Sequence, residues 1–180
     1  MNDEFGEALV NVPLYVGDMY PLLPDFKDLA PRRFSRSALN QPTNLQSRRQ
    51  IVLNLINNIR AEYNVDPVFM DNKLNSLAQD YSALMIRDNF IGHYDRQGRG
   101  PGDRARERGI REGVGENIAV NSNLTQGQLM LQRSPVHLRN MVSERWVRVG
   151  LGIDQNRNGA YFIVQEYSSR DLTQFPLTTT

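Results

Sequence analysis

Two histidines and one glutamate are the residues of this chain whose types and settings could do chemistry. His93 and His137 are the only histidines in the sequence, and Glu116 lies between them, flanked by small and polar residues. Each histidine lies in a short segment marked by Gly or Pro, N89-F-I-G-H-Y-D-R-Q-G98 and S134-P-V-H-L-R-N140. Two neutral imidazoles and one carboxylate are a workable zinc ligand set with an open fourth position. The same three groups can instead form a His–Glu–His hydrogen-bond cluster.

Spacing alone leaves the convergence of these three residues open. The sequence has no H-E-x-x-H or H-x-H pattern, so each histidine could equally be a hydrogen-bonded structural residue. There is no G-x-S-x-G elbow, and Ser134 has only its proximity to His137 in favour of a nucleophilic role. The absence of cysteine excludes disulfides, thiolate catalysis and Cys-based zinc sites.

Length and composition indicate one globular domain with an extension. The chain has 180 residues, 39% of them hydrophobic, and a net charge of +1. Such a balance argues against a general electrostatic attraction to nucleic acid or to an anionic membrane. No apolar run approaches the ~20 residues of a membrane span. The first ten residues are acidic where a signal peptide is basic, so we expect an intracellular protein or a chain from which a targeting segment is absent.

Proline content and hydrophobic periodicity together divide the chain into three parts. Residues 1–46 hold five of the nine prolines and show no helical or strand period, which is typical of an irregular arm or a linker. Residues 47–170 carry regular periodicity and are predicted to form the domain. Residues 171–180 are left as a C-terminal tail.

The first half of the domain has helical periodicity. Val52, Leu55, Ile56 and Ile59 lie on one helical stripe. We predict a second helix that begins after an Asp71 cap and ends around Asn89, and a short third helix between Pro101 and Gly109.

The end of the domain has strand periodicity instead. In W146-V-R-V-G-L-G-I153 the apolar residues Val147, Val149, Leu151 and Ile153 alternate, and A160-Y-F-I-V-Q-E-Y167 is a second candidate strand. Asn158-Gly159 between them predicts a hairpin turn. Helices followed by antiparallel strands indicate an α+β domain.

Six short motifs, in this order, resemble the CAP superfamily of cysteine-rich secretory proteins, antigen 5 and pathogenesis-related protein 1. The match is to its short bacterial version, the SCP domain, and it covers about residues 50–168. The motifs are D66-P-V-F-M-D-N-K-L-N-S-L-A78, F90-I-G-H93, G98-R-G-P-G-D-R104, G115-E-N-I-A119, S134-P-V-H-L-R-N-M141, and G150-L-G-I153 followed by Tyr161, Gln165 and Tyr167.

The resemblance implies a three-layer α-β-α sandwich with a small antiparallel sheet, and a cleft that gathers two histidines and two acidic residues. His93, Glu116 and His137 match three of these four positions. Ser134 stands at the fourth, where many relatives have Glu. Apolar substitutions near the second histidine are expected to make the rim of the cleft more apolar; they are Leu131, Val136 and Leu138.

We expect a protein of the cell envelope or secreted space that acts as a binding or interaction module. A small lipid- or sterol-like ligand fits the apolar rim, and a protein partner is the other expectation. The alternative is a metal-assisted hydrolase, with Glu116 as general base on a water held by a zinc ion between His93 and His137. The missing second acidic residue counts against that alternative. A third hypothesis is a vestigial cleft, with residues 1–46 making an envelope contact.

Overall fold

The computed structural model describes residues 10–12 and 44–169. The predicted arm and tail therefore lie outside the described residues, except for a three-residue strand and residues 44–46, which form the cap and the first residues of α1. The elements are β1 (Val10–Val12), α1 (Leu45–Glu62), β2 (Phe69–Met70), α2 (Asn72–Asp88), α3 (Pro101–Glu107), β3 (Val114–Asn121), α4 (Leu124–Arg133), α5 (Pro135–Met141), β4 (Arg148–Gln155) and β5 (Tyr161–Ser168).

The five strands form one sheet in the order β1-β3-β5-β4-β2. The three long central strands are antiparallel, as predicted, and β1 adds antiparallel to β3. β2 pairs parallel with β4, so the sheet is mixed at that edge. The predicted hairpin turn between β4 and β5 is confirmed: Gly159 has φ +83°, a conformation that favours glycine.

Helices cover both faces of the sheet, which confirms the three-layer α-β-α sandwich. Alternation along β3 divides the core, because successive strand residues point to opposite faces. Ile118 and Val120 pack with Tyr81 of α2 on one face. Ala119 packs with the apolar residues of α1, α4 and α5 on the other. The side chains of the central strands therefore point either toward α2 or toward α1, α4 and α5.

Helix α2 has the ends that its sequence predicts. The Asp71 side chain accepts hydrogen bonds from the backbone N–H groups of Lys73 and Leu74, at 2.8 and 3.0 Å. Asn89 adopts the left-handed conformation (φ 52°), and its N–H bonds carbonyls of the last turn. A side-chain cap and a left-handed residue satisfy the backbone groups that a helix leaves without partners.

Two glycines let the backbone of α2 lie directly on β4. A Cβ atom on Gly150 would stand 2.0 Å from the carbonyl carbon of Leu74, and one on Gly152 would stand 2.0 Å from the carbonyl oxygen of Ala78. Both distances are far inside van der Waals contact, so no other residue fits there. The G-L-G sequence is thus required by the helix that covers it.

Two positions differ from the sequence prediction. β4 begins at Arg148, so Val147 lies before the strand and is 40% exposed instead of facing the core. On α1, the stripe of Val52 and Ile56 continues to Arg60, which is fully buried. Arg60 donates to the carbonyls of Asp66 and Met141 at 2.7 Å, of Ser143 at 3.1 Å and of Trp146 at 3.2 Å. A guanidinium has five N–H donors, so one side chain can bond four carbonyls.

Candidate functional site

His93 and Glu116 are in direct contact beneath the surface of the domain. The His93 Nδ1 atom lies 2.7 Å from Oε1 of Glu116, and the two side chains are 2% and 0% exposed. An ionised carboxylate only accepts hydrogen bonds, so Nδ1 carries the hydrogen and donates it. The predicted meeting of the first histidine with the glutamate is therefore found in the structure.

Arg104 of α3 holds the other oxygen of Glu116. Its Nη2 atom lies 2.5 Å from Glu116 Oε2, and its Nη1 atom donates to the carbonyl of His93 at 2.8 Å. The guanidinium carbon lies 3.3 Å from the centre of the Tyr81 ring, a close cation–π contact. The loop that carries His93, helix α3 and strand β3 are thus joined at one buried ion pair.

A second carboxyl group, Glu166, lies beside this pair. Glu166 is opposite Glu116 in the β3–β5 register and is fully buried, with an oxygen 3.8 Å from Arg104 Nη2. With both glutamates ionised, the Glu166 oxygens have no hydrogen-bond partner among the described residues. A proton on Glu166 would supply a donor toward Glu116. Arg104 supplies one positive charge to the two buried glutamates. We therefore expect the pair to hold one proton, which the two carboxyl groups share.

The pKa values of the two glutamates move in opposite directions. Burial raises the pKa of Glu116, but the charge of Arg104 and the hydrogen bond from His93 outweigh it and hold the pKa below its usual value. Burial and the neighbouring charge of Glu116 raise the pKa of Glu166 well above its usual value. Environments that separate two carboxyl pKa values in this way favour one ionised and one protonated carboxyl.

We expect Glu166→Gln to stabilise the protein at alkaline pH. The raised folded-state pKa means that the stability contributed by Glu166 is complete below about pH 4.5 and is lost as the pH rises through the folded pKa. Glutamine imitates the protonated carboxyl without titrating. The gain should be about 1 to 3 kcal/mol at pH 8, the cost of a buried polar group that has no hydrogen-bond partner.

Urea unfolding from pH 4 to pH 9 measures this difference. The two proteins should converge at pH 4, and the exposed substitution Glu62→Gln should leave the whole profile unchanged. Parallel wild-type and Glu166→Gln profiles across the range would show that Glu166 does not hold a proton in the folded state.

The second histidine contacts a different partner. His137 Nδ1 lies 2.7 Å from Ser134 Oγ, one turn earlier at the start of α5. Asn117 Nδ2 donates to the backbone carbonyl of His137 at 3.2 Å, and Asn140 Nδ2 donates to the Asn117 side-chain oxygen at 3.0 Å. Since Asn117 and Glu116 point to opposite faces of β3, this amide network lies on the α5 side of the sheet.

The four predicted cleft residues therefore form two pairs, His93 with Glu116 and His137 with Ser134. Within residues 44–169, no three His, Cys, Asp or Glu side chains form a group that could hold a metal ion. The predicted zinc set also does not fit the chemistry of Glu116, because both of its oxygens accept hydrogen bonds and one faces the positive charge of Arg104. Zinc binding by His93, His137 and Glu116 therefore stays a prediction, which titration of the protein with zinc would test.

Sequence reasoning identified His93 and Glu116 but missed Arg104 and Glu166. Arg104 is the last residue of the motif G98-R-G-P-G-D-R104, and nothing in the motif indicates that its side chain is buried. Glu166 follows Phe162 and Val164 at strand spacing, which puts a carboxyl group on a face whose other members are buried. A charged residue in phase with a buried stripe was the signal that could have found it.

Comparisons with known proteins agree with this architecture. The model of the cysteine-rich secretory protein (CAP) family matches residues 53–167. A search of curated protein sequences finds no match. No helix in the described part of the chain is long and apolar enough to cross a membrane.

Several solved structures share the fold at low sequence identity. An extracellular SCP-domain protein of Bacillus anthracis is 22% identical with a TM-score of 0.62, over 72% of this chain and 45% of that one. An outer surface protein of Borrelia burgdorferi is 17% identical with a TM-score of 0.66, over 73% and 98%. A cysteine-rich secretory protein of Staphylococcus aureus is 10% identical with a TM-score of 0.55, over 72% and 41%. This chain thus spans less than half of the Bacillus and Staphylococcus proteins. The family match covers well over half of the sequence, and the chain belongs to the CAP family.

Proposed function

We propose that this chain is a non-catalytic binding module whose histidine–glutamate site has a structural role. The observation that carries the proposal is the state of Glu116. It is fully buried, and its two oxygens accept hydrogen bonds from His93 and from Arg104. A general base must lie within reach of the proton that it removes, and Glu116 is fully buried and serves as the counter-ion of Arg104.

The same contacts argue against the metal-assisted hydrolase. That mechanism needs Glu116 to act on a metal-bound water, whereas here Glu116 is the counter-ion of a buried arginine. Releasing it would leave Arg104 charged and without its nearest partner in the interior, which is costly. His137 Nδ1 contacts Ser134 and not Glu116, and the described residues hold no group of three His, Cys, Asp or Glu side chains that could bind a metal ion.

For the ligand we propose a small amphiphile, with one polar and one apolar end. Val136 and Leu138, which the sequence places beside the second histidine, are half-buried on α5 and keep some apolar surface at this side of the domain. Ligand sites commonly combine apolar walls with a few placed polar groups. A lipid-like molecule and an apolar protein segment both have this character.

We also propose that the protein works outside the cytoplasm. The similar Bacillus structure is described as extracellular and the similar Borrelia structure as an outer surface protein. These descriptions belong to those proteins, and they support the location for this chain through the shared fold. Fractionation of cells that produce the full-length protein would test the location directly.

A hydrolysis assay and a binding assay together test the proposed function. We expect the protein to release no more product from casein or from nitrophenyl esters, with zinc or with chelator, than His93→Ala/His137→Ala does. We expect a fluorescent fatty acid to bind saturably to the wild type. Turnover that is lost with chelator and in Glu116→Gln would refute the proposal and support the hydrolase.

A further inference from the structure

A binding module needs an accessible recognition surface, and the His93–Glu116 cluster is sealed inside the domain. The α5 side of the sheet offers an open pocket of about 250 Å³ instead. This volume is just below the roughly 300–1,000 Å³ of sites for drug-sized ligands, so it suits a smaller molecule. Its lining residues come from α5 and from the segment leading into β4; they are Val136, Arg139, Asn140, Ser143, Arg145 and Trp146.

The charge of this pocket is one-sided. Two of its six lining residues are arginines and none is acidic. Among the described residues, neither Arg139 nor Arg145 forms an ion pair, whereas Arg99, Arg104, Arg106 and Arg108 all do. Two arginines without acidic partners beside one concave surface attract a negatively charged group, and a guanidinium binds a carboxylate through paired hydrogen bonds.

An apolar surface stands next to these charges. The Arg145 guanidinium lies 4.3 Å from the centre of the Trp146 ring, so it is stacked on the indole. The indole N–H already donates to Asn140, at 2.8 Å to the carbonyl and 3.1 Å to the side-chain oxygen. Trp146 is 5% exposed and its ring stacks on Tyr167, so only an edge of the indole lines the pocket. The half-buried Val136 provides the more open apolar surface beside it.

The pocket is also held in shape from behind. Arg60 bonds the carbonyls of Ser143 and Trp146, which are two of the lining residues. Asn140 donates to Asn117 and to the carbonyl of Glu116, which fixes it to β3. A preformed wall avoids part of the ordering cost of binding.

We propose that this pocket binds a small carboxylate that carries an apolar or aromatic group. The carboxylate pairs with Arg139 and Arg145, and the apolar group lies against Val136 and the edge of Trp146 that lines the pocket. The inference rests on the proposed function, in which the ligand is a small amphiphile. It adds the place where that ligand binds and the carboxylate as its polar end. It does not involve His93 or His137.

Trp146 is the single tryptophan of the chain, so its fluorescence reports on this pocket alone. We expect benzoate to change the emission saturably, with a dissociation constant in the millimolar range, about 4 kcal/mol of binding. Benzamide, the neutral isostere, and acetate, which lacks the ring, should each bind at least about fivefold more weakly. Calorimetry with benzoate serves as a second measurement that does not depend on the indole.

Matched substitutions locate the binding. Arg139→Gln should weaken benzoate binding about three- to tenfold, as expected for a partly exposed charge-assisted pair, and Arg106→Gln on α3 should not change it. Equal binding of benzamide, unchanged binding in Arg139→Gln, or no benzoate binding by either method would each overturn the inference. Hydrolytic turnover in the separate assay would refute the proposed function and leave this result unaffected.

Discussion

Arg104→Met is expected to lower the free energy of unfolding by about 3 to 5 kcal/mol at pH 7, the cost of leaving a buried charge without its partner. The substitution removes the cation that faces Glu116 and Glu166 and leaves both carboxyls buried. It also removes the donors to the carbonyls of His93 and Arg99. Methionine approximates the length of the side chain, so the loss reflects charge and hydrogen bonding more than an empty volume.

The loss should shrink as the pH falls. Without Arg104, the pKa of Glu116 is no longer held down, so protonation relieves the buried negative charge at acidic pH. Urea unfolding at pH 7 and pH 5 measures both effects. Arg106→Met is the matched control, because Arg106 pairs with Asp103 on the exposed side of the same helix and should cost under about 1 kcal/mol. An equal cost for the two variants would contradict the buried-pair account.

Arg60→Met is expected to cost a similar amount, about 3 to 5 kcal/mol, for a different reason. It leaves the carbonyls of Asp66, Met141, Ser143 and Trp146 without the donors that Arg60 supplies, and a buried carbonyl without a partner costs about 1 to 3 kcal/mol. Some of these carbonyls can accept a hydrogen bond from water in the variant. The total cost is therefore smaller than four times the cost of one carbonyl without a partner.

Arg60→Lys separates the charge from the geometry. The lysine ammonium has three donors on a flexible stem and cannot reproduce the planar fork of a guanidinium, so we expect a loss between those of wild type and Arg60→Met. Thermal unfolding of the three proteins gives the order, with Arg87→Met on the exposed surface of α2 as control. If Arg60→Lys is as stable as wild type, the four carbonyl bonds contribute nothing beyond the charge.

The sequence allowed the elements of this fold to be predicted where local signals were strong. The Asp71 cap, the Asn89 end of α2 and the Asn158-Gly159 turn each depend on the backbone preferences of one or two residues. Periodicity predicted α1, α2 and the β4–β5 pair, but it did not predict the short strands β1 and β2 at the two edges of the sheet. The three-layer sandwich was predicted only from the resemblance of six motifs to the CAP superfamily. No single segment of the sequence indicates that helices pack on both faces of the sheet.

The candidate site was predicted less completely, because its composition depends on pairing between distant segments. His93, Glu116 and His137 were expected to line one cleft, and the structure shows a direct contact only between His93 and Glu116. Arg104 and Glu166 join them through the packing of α3 on the sheet and through the register of β3 with β5, neither of which is encoded in a local pattern. The sequence predicted one cleft for His93, Glu116, Ser134 and His137. The structure instead shows two pairs, His93 with Glu116 and His137 with Ser134.

The glycine pair in β4 has a consequence for how the molecule can move. Gly150 and Gly152 leave no side chain between the backbone of α2 and the sheet. No side chains are therefore present there that could rearrange and let the helix shift along the sheet. Closely packed interiors change between discrete arrangements and do not deform continuously, so α2 and the central strands must move as one rigid body. A change of arrangement in this domain therefore cannot proceed by sliding α2 along the sheet.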